Sequence, residues 1–377
     1  MGPPEAAGRI RTAVKIFDHR KTEMKEKTSS RDKVLALLES EKGEYISGED
    51  IASILGISRT AVWKAVNNLK KDGYMIDSVT NRGYCLSHGS DILSEGSLRG
   101  YLNDCPPLEL DVFDTVDSTN TVCLKRASSG DRSTYAAVAG GQTRGRGRRG
   151  RSFFSPDGTG LYMSILLRPS GLSADQAVRF TTVAAVAVSE AIEAVSGRSA
   201  SIKWVNDIYV GGRKACGILT EASFNPEDGT LDYAVVGIGI NVYEPQGGFP
   251  EEIRDRAGAL AGPVNTPDQE DSGTTGNKVL ENGGRNRLAA EILSRFFSYL
   301  DDRLVPAASS ETDPVPRYAY EYRRRCFVIG MDVDVLKAGS EPRGAHVLGV
   351  DDECRLEVRY PDGTEEALSS GEISIRL

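Results

Sequence analysis

Histidine is scarce in this chain of 377 residues. Only His19, His88 and His346 are present, which leaves little room for a histidine-built zinc site or a histidine-based catalytic triad. The six cysteines, at positions 85, 105, 123, 216, 326 and 354, lie far apart with no Cys-x-x-Cys among them. That spacing fits reduced, mostly buried thiols of a cytoplasmic protein better than a disulfide frame. No uninterrupted run of about 18 apolar residues occurs, so no membrane span is expected. The N-terminus lacks the charged-then-apolar order of a secretory signal. A Walker lysine motif is missing, and "GIGINV" (237–242) lacks the spacing of a dinucleotide fingerprint. Neither a P-loop nor a Rossmann site is therefore predicted. The net charge is −8, so any contact with nucleic acid has to sit in a local patch.

What is present divides the chain into blocks. Residues 1–28 are polar and net basic and read as a flexible extension. Residues 29–88 read as a small helical unit, 91–325 as a central α+β domain and 326–377 as a small β-barrel or sandwich. A stretch rich in Gly, Asn, Thr, Asp and Glu, 262–287, reads as a flexible insertion in the central block or as a linker.

In the first block, Val34, Leu35, Leu37 and Leu38 mark one helix. Ser47 and Asp50 form a loose capping box for a second, and Gly56 allows a sharp turn. Ser58 caps a third helix, on which Val62, Val66 and Leu69 share the inner face. Two short alternating runs around Asn81-Arg82-Gly83 predict a hairpin. Three helices and a hairpin make a winged helix-turn-helix. Arg59, Thr60, Lys64, Asn67 and Lys71 on the third helix, with Arg82 at the wing tip, are the candidate DNA contacts. From Ser58 to Tyr84 there are five Lys/Arg against two acids. A charged outward face alone is commonly just solvated; the whole-unit pattern is what favours DNA.

In the central block, five arginines and three glycines crowd residues 144–151, "RGRGRRGR". Both flanks read as strands of one domain, which argues against a disordered arm. The glycines let backbone approach a ligand, and the guanidinium groups suit carboxylate or phosphate. Mutual repulsion predicts a loop that is loose until an anion binds. Further on, "KWVNDIYVGGRKACGIL" (203–219) reads as a hairpin about Gly211-Gly212. It folds Lys214 back towards Asn206 and Asp207. Together with Lys203 these groups suit a carboxylate substrate, a nucleotide phosphate and Mg²⁺.

Taken together, the N-terminal unit, "DSTN" (117–120), "GRGRRGR" (145–151), "KWVNDI" (203–208), "GRKACGIL" (212–219), "GIGINV" (237–242) and the closing "GEISIRL" resemble the biotin protein ligases. More narrowly, the chain resembles the bifunctional class that also represses the biotin operon. The resemblance covers nearly all of the chain outside 1–28 and 262–287. It implies a central domain like that of class II aminoacyl-tRNA synthetases and an SH3-like C-terminal domain. It also implies an ATP- and Mg²⁺-dependent reaction: biotin becomes biotinyl-5′-AMP, then passes to a lysine of a biotin carboxyl carrier protein. Carried over by motif, Ser118, Thr119, Asn120, Gln142, Arg146, Gly147, Arg148 and Lys214 would bind biotin, with Lys214 and Arg148 acting in catalysis. Asn206, Asp207, Arg151 and Asn241 would face the nucleotide. No set of protein metal ligands is predicted. Operator DNA and a homodimer are the implied partners. The family usually has proline at the position of Val205, so the approach to Asn206-Asp207 is expected to be less constrained. Two other readings, a biotin-sensing transcription factor without ligase activity and a lipoate-type ligase, are disfavoured by Lys214 with the intact arginine loop and by "GRGRRGR" with the winged helix, respectively.

Overall fold

The computed structural model describes residues 29–87, 89–102, 105–169, 172, 177–225, 227, 229–262, 280, 284–301, 316–337, 340–369 and 371–375. The extension 1–28 and most of the stretch 262–287 lie outside the described residues. The chain falls into two compact units, Met1–Tyr101 with Glu281–Arg287, and Leu102–Leu280 with Leu288–Leu377.

The first unit opens with α1 (Ser30–Ser40), α2 (Gly48–Leu55) and α3 (Arg59–Lys71). Side-chain caps start all three: Ser29 accepts from the Asp32 amide, Ser47 from Asp50 and Ser58 from Ala61. Gly56, at φ +65°, ends α2 in the left-handed region and supplies the turn into α3. Val34, Leu35 and Leu38 of α1, Ile51 of α2 and Val62, Val66 and Leu69 of α3 are buried together in one cluster. The hairpin pairs β1 (Ile76–Val79) with β2 (Gly83–Leu86). A side chain at Gly83 would run into the Ile46 carbonyl, so β2 passes close over the segment leading into α2. The unit extends past residue 88. It takes in α4 (Glu95–Tyr101), whose Tyr101 hydroxyl donates to the buried Glu39 carboxylate at 2.8 Å.

The last four residues of the stretch 262–287 are helical. Gly284–Arg287 begin the helix α7 (Gly284–Asp301). Arg285 and Asn286 are buried there because both bond back to the chain after the hairpin. The Arg285 guanidinium pairs with Asp91 at 3.2 Å, and Asn286 Nδ2 donates to the Ile92 carbonyl at 2.7 Å.

The second unit is built on a seven-stranded sheet. Its strands are β3 (Glu109–Val116), β4 (Tyr135–Gln142), β5 (Gly160–Leu167), β6 (Ala200–Lys203), β7 (Asp207–Val210), β8 (Arg213–Phe224) and β9 (Leu231–Asn241). Their order is β3-β4-β5-β9-β8-β7-β6, with β3 and β4 parallel and the other pairs antiparallel. Two helices of this unit are α5 (Thr119–Ser128) and α6 (Val178–Ser196). The alanine-rich α6 is buried over most of its length, as an almost uninterrupted apolar helix must be. "SIKWVNDIYV" is not one strand: it breaks at Trp204–Asn206 into β6 and β7.

After α8 (Arg317–Arg325) comes a five-stranded antiparallel sheet, ordered β13-β12-β11-β10-β14. Its strands are β10 (Asp332–Leu336), β11 (Arg343–Val350), β12 (Leu356–Arg359), β13 (Glu365–Leu368) and β14 (Glu372–Ile375). The apolar run "CFVIGMDVDVL" becomes strand only from Asp332, because Cys326 bridges to Ile202 and the backbone turns before β10. Among the described residues no helix is long and apolar enough to cross a membrane.

Candidate ligand cleft and nucleic-acid face

One cleft in the second unit collects nearly every residue singled out in the central block. Its interior volume is about 160 Å³, and it opens to solvent. Three segments bring polar groups to it. The first is the start of α5. Ser118, Thr119 and Asn120 are buried there, and Gln142 at the end of β4 accepts from the Thr119 amide at 2.9 Å. Gln142 in turn donates from Nε2 to Ser155 Oγ at 3.1 Å.

The second segment is the arginine loop. It folds as a tongue: the Phe153 amide donates to the Gly145 carbonyl at 2.9 Å, and that of Gly147 to Arg151 at 2.7 Å. Its cations were expected to hold it loose by repulsion, yet protein acceptors offset that repulsion. Arg146 pairs with Glu221 at 2.8 Å. Arg148 donates to Asn206 Oδ1 at 3.0 Å and to the Gly371 carbonyl at 2.9 Å. Arg149 donates to the Leu336 carbonyl at 3.0 Å. Arg146, Gly147, Arg148, Arg149 and Arg151 all line the cleft; Arg144 does not.

The third segment is the β6–β7–β8 turn region. The Gly211-Gly212 turn, with both φ values positive, folds β8 back on β7 so that Lys214 stands opposite Tyr209. Lys214 Nζ then lies 2.6 Å from Asp207 Oδ1. Asn206 exchanges two bonds with Ile218: its carbonyl accepts from the Ile218 amide at 2.9 Å, and its Nδ2 donates to the Ile218 carbonyl at 2.8 Å. The preceding Trp204–Val205 peptide is cis. The turn was expected to be less constrained for want of proline, but side chains hold it on both sides. Trp204 Nε1 donates to the Cys354 carbonyl, and the Tyr322 hydroxyl donates to the Val205 carbonyl, each at 3.0 Å. Burial pushes the Tyr322 phenol well above its ordinary range, so it stays a donor.

Asn241 departs from this arrangement. It ends β9, does not line the cleft, and its Nδ2 donates to the Gly258 carbonyl at 3.0 Å. Its amide is thus committed to fastening the loop after β9.

The sequence reading missed the apolar part of the lining. Trp204, Ile218, Leu219 and Ile238 line the cleft, and β14 contributes Ile373. It also missed why "GIGIN" carries glycines. A side chain at Gly237 would run into Asn120 Oδ1, and a β-carbon at Gly239 would stand 2.8 Å from the Phe153 ring. The alternation of glycine and isoleucine along β9 was the available signal: the glycine positions have to admit the Asn120 and Phe153 side chains.

In the first unit, Arg59, Thr60, Lys64, Lys71 and Arg82 are exposed and Asn67 is half-buried. The Arg82 guanidinium lies over the Tyr45 ring, 4.1 Å from its centre. Trp63 on the same helix is 58 % exposed and had no place in the sequence reading.

Comparison with known proteins agrees with this layout. Residues 112–241 match the Biotin/lipoate A/B protein ligase family, 30–85 an HTH domain and 332–376 the Biotin protein ligase C terminal domain. The Bifunctional ligase/repressor BirA of Bacillus subtilis (strain 168) is 36% identical over 236 residues, which cover 62% of this chain and 72% of the relative. This chain belongs to the BirA family of bifunctional biotin ligase/repressors. The family member of Escherichia coli (strain K12) is 35% identical over 214 residues, 56% of this chain and 63% of its own. A solved structure of Biotin protein ligase from Aquifex aeolicus in complex with biotin and ATP matches with a TM-score of 0.52 at 28% identity. It covers 71% of this chain and 98% of that one.

Proposed function

We propose that the cleft activates biotin with ATP to biotinyl-5′-AMP and passes the biotinyl group to a lysine of the biotin carboxyl carrier protein, and that the adenylate-loaded chain represses the biotin operon. The observation that carries the reading is the joining of the arginine loop, the α5 start and the Lys214 hairpin in one cleft. In the first step a carboxylate oxygen of biotin attacks the α-phosphate and pyrophosphate leaves. In the second the carrier amine attacks the mixed-anhydride carbonyl and AMP leaves.

The chain's own groups then take these parts. Ser118, Thr119, Asn120 and Gln142 offer donors and acceptors to the biotin ring system. Arg146, Gly147 and Arg148 cover biotin and its adenylate. Lys214 neutralises charge developing between carboxylate and α-phosphate. Asp207 holds Lys214 in line at 2.6 Å. Asn206, Asp207 and Arg151 face the nucleotide, while Asn241 acts only through the loop it fastens.

Among the described residues no group of three or more His, Cys, Asp or Glu is arranged to hold a metal. Mg²⁺ fits here as an ion carried on ATP phosphates, with Asp207 and Asn206 as the nearby oxygen donors; bound there it would offset phosphate charge. The seven-stranded sheet supports a class II synthetase-like catalytic domain, and the five-stranded antiparallel sheet supports an SH3-like C-terminal domain. The three capped helices with their hairpin support a winged helix-turn-helix whose α3 enters the DNA groove. A two-fold operator would be met by a homodimer in the cytoplasm, with the carrier and the second protomer competing for one surface.

The test mixes protein, ATP-Mg²⁺, biotin and carrier domain and weighs the carrier. The reading predicts a mass gain on one carrier lysine. No gain while biotinyl-AMP still binds tightly would overturn the ligase assignment in favour of a biotin sensor.

A further inference from the structure

One carboxylate directly behind the cleft lining belongs to neither step. Glu221 stands on β8 with its side chain 24% exposed. Its two oxygens go to two different partners. Oε1 lies 2.8 Å from Arg146 Nη2, and Oε2 accepts from Asn120 Nδ2 at 2.8 Å. The Asn120 amide has one orientation that satisfies its neighbours. Ser164 on β5 is wholly buried, and its hydroxyl donates to Asn120 Oδ1 at 2.6 Å. With the amide oxygen turned to Ser164, the amide nitrogen faces Glu221. A carboxylate accepts on both oxygens and serves the amide and the guanidinium together; a carboxamide can accept from only one of them.

We propose that Glu221 is a positioning residue that locks the biotin-facing amide of Asn120 to Arg146 of the arginine loop. The inference rests on the biotin ligase reading above. Through this one side chain, the pocket that reads the ring system and the loop that covers the adenylate are set in a single register. Ser164 sets the amide, Glu221 transmits that setting, and Arg146 carries it into the loop.

Glu221→Gln in the full chain tests it. The variant keeps shape and volume but supports only one of the two donors. The KM for biotin is expected to rise roughly 10- to 100-fold, the loss of one charge-assisted bond. The kcat at saturating biotin and the melting temperature should move far less. In an Arg146→Ala background the same substitution should add much less, because the two side chains act as a unit. Ser164→Ala should raise the KM for biotin by itself, through Asn120 and through Thr119, whose Oγ1 lies 2.7 Å from the Ser164 hydroxyl. An unchanged KM in Glu221→Gln, or equal effects with and without Arg146, overturns the inference. Wild-type protein that makes no biotinyl-AMP would instead overturn the functional reading, so the two failures are distinguishable.

Discussion

Lys214 owes its place to a two-glycine turn and a carboxylate. Gly211 and Gly212 reverse the chain, and Asp207 holds the ammonium at 2.6 Å. A cation so held needs no reorganisation when charge develops beside it, which is the source of catalytic gain in pre-set sites. Lys214→Ala should therefore lower the rate of adenylation about 100- to 1,000-fold while raising the dissociation constant for biotin much less. Pyrophosphate release and equilibrium binding, measured on the same preparation, check this; equal losses in both would assign Lys214 to ground-state binding only. At this scale much of the site was legible in the sequence, because the turn residues and the charged side chains both lie within short stretches. What was not legible comes from far along the chain. The Gly371 carbonyl that receives Arg148 lies 223 positions away, and a backbone carbonyl leaves no trace in residue type. The partner of the Asn241 amide, the Gly258 carbonyl, was hidden for the same reason.

Among the elements, the helices of the first unit were read closely because capping residues and apolar spacing mark them directly. Ser47, Ser58 and Gly56 all act as read. The break between β6 and β7 was missed, since no Gly or Pro punctuates Trp204-Val205-Asn206 and the bonds that hold it come from Tyr322 and Cys354. On α3 the polar positions were read and the exposed apolar one was overlooked. Trp63 is 58 % exposed among Arg59, Thr60 and Lys64, whereas the only other tryptophan, Trp204, is 3 % exposed. Trp63 emission should thus report whatever covers this face. Adding operator duplex to adenylate-loaded protein is expected to quench or shift it, and Trp63→Phe to remove the change. Emission that stays constant at saturating duplex would mean that α3 is not the surface facing DNA.

Across the whole molecule, the scattered cysteines prove to be packing residues. All six are free thiols, five of them buried and Cys105 half-buried. Burial pushes Cys123 and Cys354 up to about 12 and Cys326 to about 11, so at pH 8 almost none of these is thiolate. Native protein at that pH should show at most one thiol, Cys105, reacting quickly with an alkylating reagent, and all six after unfolding. Mass spectrometry counts them; several fast thiols in the native protein would contradict the packing described. The two-unit division itself was only partly legible. Apolar periodicity marked the blocks, but the allegiance of Gly284–Arg287 was set by Asp91, nearly two hundred positions earlier.

The central claim is that one adenylate, made in the cleft, serves both the ligase and the repressor. A gel shift on the upstream fragment of the biotin operon tests it most directly, run with wild-type protein and Lys214→Ala. Wild type should shift the fragment only with biotin and ATP together, or with preformed biotinyl-AMP. Lys214→Ala should fail with biotin and ATP and recover with saturating preformed adenylate. A shift that needs no adenylate, or none with adenylate at saturation, would contradict the account.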